Sequence, residues 1–241
     1  MSCSGSGKPR RSSGGESDLD GHAWAGDGAV QVYADLVDGD ITALLLEHAC
    51  PSRSDSPPDD LRGLPEPAQD LVVAGLLRRL WSVQPANKEF RPLTEMCALW
   101  VADIGATRND KNDDPQSALD PGMVRDGLAL WHDLPANADR HVLLATDLHA
   151  GNIMAADREP WLVIDPKPYV GDPTYDVLQH LLNCPTRLHA DPVALCKRLA
   201  DSCDLDRDRV QHWLFARCVV ESIGSAPTWP ELAQVAVMLA P

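Results

Sequence analysis

An α+β fold, with a small β-rich front and a mostly helical remainder, is predicted by three features of this 241-residue sequence. Val30-Gln31-Val32-Tyr33-Ala34-Asp35 alternates as a strand, and after a turn at Asp38-Gly39 the run Ala43-Leu44-Leu45-Leu46-Glu47-His48 reads as a second one. From Leu71 onward, apolar residues recur at helical spacing. Between Leu143 and Asp165 the helices are interrupted by a short polar loop and by Trp161-Leu162-Val163-Ile164, which has the length and β-branched content of a buried strand.

Taken in order, Met1 to Gly21 is rich in Ser, Gly, Lys and Arg and nearly free of aromatic or β-branched residues, so residues 1–21 are expected to be disordered. Residues 22–50 carry the two strands. The Pro, Asp and Ser-rich stretch 51–67 is a connection, and 68–241 forms the helical body. Within that body Leu71 to Trp81 is a helix with Arg78 and Arg79 on its wet side, and it breaks at Pro85. Phe90 to Ile104 and Met123 to His132 are further helices, joined by a charged, turn-rich stretch from Arg108 to Asp120. Beyond the loop and strand, helices are expected over Tyr175–Asn183, Pro192–Ala200, Arg207–Val220 and Trp229–Leu239.

A formal charge of −15 and a pI near 4.7 argue against non-specific binding to nucleic acid or anionic membranes, and leave room for cationic small molecules. No apolar run is long enough to span a bilayer and no secretory signal opens the chain, so a cytoplasmic location is expected. Seven cysteines without CxxC spacing fit reduced thiols, most of them small core residues. Oligomeric state is left open.

The stretch Leu143 to Cys184 carries the chemistry. Asp147-Leu148-His149-Ala150-Gly151-Asn152, followed by Val163-Ile164-Asp165, places two acids and an amide at strand ends. In phosphoryl transfer the protein's work is mostly positioning and charge neutralisation. Asp147 suits the base that takes an acceptor hydroxyl's proton, and Asn152 and Asp165 offer hard oxygens for Mg²⁺. A metal-hydrolase reading of His141, Asp147, His149 and Asp165 is weaker, because only one imidazole lies inside the loop. Asp172, ahead of Pro173, reads equally well as a turn or helix cap.

These residues resemble the aminoglycoside phosphotransferases, in particular the streptomycin and hydroxyurea phosphotransferase branch of the protein-kinase-like fold. The loop matches the family pattern H-G-D-L-H-x-G-N, with Ala145 and Thr146 in place of its first two residues. Arg158 to Pro168 is also similar to that branch, with Asp165 at its metal-binding acid. The resemblance implies a two-lobe fold with an incomplete β N-lobe and a helical C-lobe. It implies ATP and Mg²⁺ as cofactors and transfer to an alcohol of a streptomycin-like or related small secondary metabolite, as in antibiotic resistance. Leu46, Glu47 and His48 fall at the family's adenine-binding hinge, and Asp172, Asp176 and Glu221 fall at its acceptor pocket. Trp213 and Trp229 are better placed as core than as sugar-stacking rings. Lys8 and Glu16 stand where the family's strand lysine and helix glutamate are expected, but without a hydrophobic strand around Lys8. A front truncated in this way predicts weak turnover, with ligand binding without catalysis as the alternative. It also predicts an uncovered apolar face on the small sheet near Val30.

Overall fold

The computed structural model describes residues 23–39, 41–49, 59–84, 90–110, 119–224 and 230–240. The expectations for Met1 to Gly21, Cys3, Cys50 and Trp229, and residues 51–58 of the expected connection, lie outside these residues. Strands β1 (Val32–Asp38) and β2 (Ile41–Leu46) form an antiparallel hairpin. The alternation that predicts this hairpin does not bury either of its faces: Tyr33, Leu36, Val37, Ile41, Leu44, Leu45 and Leu46 are all exposed. The hairpin joins the body at its base, where the Val30 amide donates to the Val163 carbonyl at 2.9 Å.

Helix α1 (Glu66–Leu80) starts inside the stretch expected to be a connection, with Pro67 in its first turn, where a missing N–H is harmless. Its apolar stripe buries Val73, Leu76, Leu77 and Leu80. Helices α2 (Leu93–Asp110) and α3 (Pro121–Asp133) follow, the latter capped by the Asp120 carboxylate on the Gly122 amide. Three short antiparallel strands come next: β3 (Val142–Leu144), β4 (Ile153–Met154) and β5 (Leu162–Val163). β4 pairs with β5, and β3 pairs with β6 (Tyr169–Gly171).

Six further helices complete the body: α4 (Pro173–Asp176), α5 (Leu178–Leu182), α6 (Pro185–Ala190), α7 (Pro192–Cys203), α8 (Arg207–Ile223) and α9 (Pro230–Leu239). α8 is the central member, buried on nearly every side from Trp213 to Val220. A helix apolar all round belongs inside a bundle, and α3, α7 and α9 pack on it. Trp131, Tyr175 and Trp213 meet edge to face at centroid distances of 5.0 to 6.1 Å, which fixes α3, α4 and α8 against one another.

The five described cysteines, Cys97, Cys184, Cys196, Cys203 and Cys218, are buried and free. Burial pushes the thiols of Cys97, Cys184, Cys196 and Cys203 up to about 12, so they act as core residues. Among the described residues no helix is long and apolar enough to cross a membrane.

Candidate active site

The loop between β3 and β4 carries Asp147 and Asn152, and Asp165 stands just after β5. Two backbone bonds bring these segments together. The Ile164 amide donates to the Asn152 carbonyl at 2.9 Å, and the Lys167 amide donates to the Ala145 carbonyl at 2.8 Å. Asn152 donates its side-chain Nδ2 to the Asp147 carbonyl at 3.0 Å, which leaves Oδ1 as its available atom. His149 caps the turn by accepting the Gly151 amide on Nδ1 at 3.0 Å, and burial pulls its pKa down. The imidazole is therefore a structural acceptor in this turn.

Burial raises the pKa of Asp147, opposed by the charges of His149 and Lys167 and reinforced by that of Asp165. A carboxyl raised in this way is a stronger base than a surface aspartate, as suits a proton acceptor. Asp165 is exposed and adopts a left-handed φ of 49°. Its carboxylate is met by the ammonium of Lys167. Asn152 Oδ1 and the Asp165 carboxylate make a hard-oxygen donor pair that fits Mg²⁺.

Thr146, one of the two departures from the family loop, also has a left-handed φ, again 49°. For a β-branched residue this conformation costs about 1–2 kcal/mol, and it persists because both ends of the residue are held. Its hydroxyl donates to the Lys167 carbonyl at 2.6 Å and its amide to Asp176 Oδ1 at 2.6 Å.

The structure corrects the acceptor-pocket expectation for Asp176 and Asp172. Asp176 is fully buried, and its Oδ2 accepts from the Ala145 amide at 3.0 Å and from Trp81 Nε1 at 2.9 Å. It holds the catalytic loop from behind and has no face left for a ligand. Burial pushes its pKa up to about 6 against those hydrogen bonds. Asp172 is 2 % exposed and caps α4 by accepting from the Thr174 amide, while also accepting from Trp213 Nε1 at 2.8 Å and Arg209 Nε at 2.6 Å. Of its two readings, the helix cap is the one found. Trp213, committed to Asp172 in the core, stacks on no sugar.

Glu221 remains partly exposed. Its Oε1 accepts from Arg217 Nε at 3.0 Å, and Arg217 in turn donates to the Tyr175 hydroxyl at 2.7 Å and lies 3.9 Å from the Trp100 ring centroid. Arg217 is also one of the charges felt by Asp147.

At the expected hinge, Leu46 and His48 are exposed, but Glu47 is taken up by structure. Its amide donates to the Gln31 carbonyl at 2.7 Å, and its carboxylate receives Arg158 Nε and Nη2, both at 2.8 Å. Arg158 also donates to Glu159 and to the Ala29 carbonyl, and Arg79 bridges Glu159 to Asp27. This ion network ties the front hairpin to the turn between β4 and β5, the strand pair that carries Asn152 and Asp165 at its open end. The hydrogen bonds from Arg158 hold the Glu47 carboxyl below its ordinary value. Lys167, which the site residues expected from the sequence do not include, was signalled there as a cation two residues after Asp165 in Ile164-Asp165-Pro166-Lys167.

Among the described residues one buried trio, Asp70, His180 and Cys184, brings metal-ligand atoms within 4.8 Å of one another. Arg187 and Arg198 donate to the same carboxylate at 2.7 Å each, so its charge is already answered by cations and the cluster is structural.

Comparison with known proteins bears on family and fold. Streptomycin 6-kinase of Streptomyces griseus is 35% identical over 208 residues, which are 83% of this chain and 63% of that protein. Hydroxyurea phosphotransferase of Kitasatospora aureofaciens is 37% identical over 202 residues, 82% of this chain and 54% of that protein. The chain thus spans less than two thirds of the length of either. A choline kinase of Streptococcus pneumoniae, solved with AMP, has a TM-score of 0.57 at 14% identity over 88% of this chain and 72% of its own, so the fold is kinase-like. A family model described as aminoglycoside/hydroxyurea antibiotic resistance kinase matches residues 9–227, and the chain belongs to that family.

Proposed function

We propose that the protein transfers the γ-phosphoryl group of ATP to an alcohol group of an aminoglycoside-type, streptomycin-like antibiotic or a related small secondary metabolite. The observation that carries this reading is the convergence of Asp147, Asn152 and Asp165 on two neighbouring strand ends, with Asp147 half-buried and its pKa raised. Asp147 orients the acceptor hydroxyl and takes its proton as the oxygen attacks phosphorus. Asn152 and Asp165 would hold Mg²⁺, which supplies charge neutralisation to the phosphates. The backbone of Leu46 and His48 serves the adenine ring, and Glu47 holds that segment in place through Arg158. The exposed oxygen of Glu221 and the net charge of −15 favour a cationic acceptor.

One observation favours a second reading, ligand binding without turnover: Lys8, which stands where the resemblance expects the phosphate-clamping strand lysine, has Ser, Gly, Pro and Arg rather than apolar residues around it in the sequence. ATP consumption with streptomycin and with hydroxyurea separates the two. Under the first reading one acceptor stimulates consumption, and Asp147→Ala lowers the rate by ~10²–10⁴-fold. An Asp147→Ala protein as fast as the parent would falsify the base assignment. Acceptor binding with no ATP consumed would leave the second reading standing.

A further inference from the structure

Lys167 follows Asp165 by two residues, in the segment that runs beside the loop of Asp147. Its ammonium meets the Asp165 carboxylate, and its charge is among those felt by Asp147. Its backbone is pinned to the catalytic loop on both sides, its amide donating to the Ala145 carbonyl at 2.8 Å and its carbonyl accepting the Thr146 hydroxyl at 2.6 Å. The anchored backbone is that of an exposed residue, with 48% of its side chain accessible. With its backbone fixed and its side chain exposed, the lysine can change rotamer away from Asp165 without moving the loop.

Building on the phosphotransferase reading, we propose that Lys167 is a resident counter-ion which a divalent metal displaces from Asp165, and that the freed ammonium then serves as a catalytic residue on the transferring phosphoryl group. In the structure its Nζ stands in for the metal at the Asp165 carboxylate. When that carboxylate turns to a divalent ion, the ammonium loses its partner, and the nearest new anion is the nucleotide phosphate. In the transfer the acceptor oxygen forms a bond to γ-phosphorus while the bond from phosphorus to the β,γ-bridging oxygen breaks. The acceptor's proton goes to Asp147, ADP departs with the electron pair, and Lys167 donates hydrogen bonds to the phosphoryl oxygens without changing its own protonation.

The two halves predict effects of opposite sign from one substitution, which a purely structural lysine would not give. Mn²⁺ alone, titrated calorimetrically into the full chain, should bind roughly threefold tighter to Lys167→Met than to the parent, because an exposed ion pair no longer competes for Asp165. At saturating ATP and acceptor, kcat of Lys167→Met should fall about a hundredfold, the loss expected for one charge-stabilising donor, with a smaller change in KM for ATP. Lys167→Arg should recover part of kcat. Equal thermal midpoints for parent and variants establish that the fold is kept, as expected for an exposed side chain.

Unchanged Mn²⁺ affinity in Lys167→Met overturns the counter-ion half. A parent-like kcat overturns the catalytic half. If the parent itself consumes no ATP with any acceptor, the phosphotransferase reading falls and takes the catalytic half with it, while the Mn²⁺ titration still decides the exchange at Asp165.

Discussion

Gly75 and Gly127 both occupy helix interiors, in α1 and α3, and the same substitution at each should act in opposite directions. A Cβ built on Gly75 meets nothing within 4 Å, whereas one built on Gly127 falls 2.6 Å from Val219 Cβ and 2.7 Å from each of its methyl carbons. Alanine in an open helix interior gains about 0.8–1.0 kcal/mol over glycine, so Gly75→Ala should stabilise by roughly that amount. At Gly127 the same gain is set against overpacking of about 1–3 kcal/mol. Because the close contact is with the branched carbon of a buried β-branched residue, α3 and α8 must separate to admit the methyl. The net effect should be a loss of up to about 2 kcal/mol. Urea unfolding of the parent and both variants measures this directly, and in a Val219→Ala background the penalty at Gly127 should largely disappear. If Gly127→Ala is as stable as Gly75→Ala, or if Val219→Ala gives no relief, the close α3 to α8 approach is misread.

Two buried acids give the stability opposite dependences on pH. For Asp70, burial alone would raise the pKa, but hydrogen bonds from His180, Arg187 and Arg198 hold it well below the ordinary 3.8. The native state therefore binds fewer protons than the unfolded chain, so Asp70 stabilises above about pH 4 and that contribution is lost on acidification. Asp70→Asn should flatten the acid limb of the stability curve; an unaltered limb would sink this assignment. Asp176 has the other sign. With its pKa pushed up to about 6 from 3.8, the native state holds the proton longer, and stability should fall as pH rises between those values. The parent should show this decline in denaturation midpoints across the window and Asp176→Asn should not, while equal slopes in both would refute it.

The sequence by itself determined the α+β class, most helices and the place of the polar loop between two strands. Those features are written in short-range pattern: the Asp147 to Asn152 spacing, the β-branched run into Asp165, and apolar stripes such as Val73, Leu76, Leu77 and Leu80. Residues a few positions apart on a strand or helix share a face whatever the rest of the chain does. Only the tertiary structure decided which polar groups face a ligand and which face the protein. Asp176 reads as a pocket acid until Trp81, 95 positions away, and the loop amides of Ala145 and Thr146 are found to occupy it. Glu47 reads as a hinge contact until Arg158, 111 positions away, closes on it. A buried carboxylate and an exposed one are the same letter in a sequence. The difference is the desolvation that surrounding elements impose and the donors they bring to offset it, and both are properties of the assembled fold.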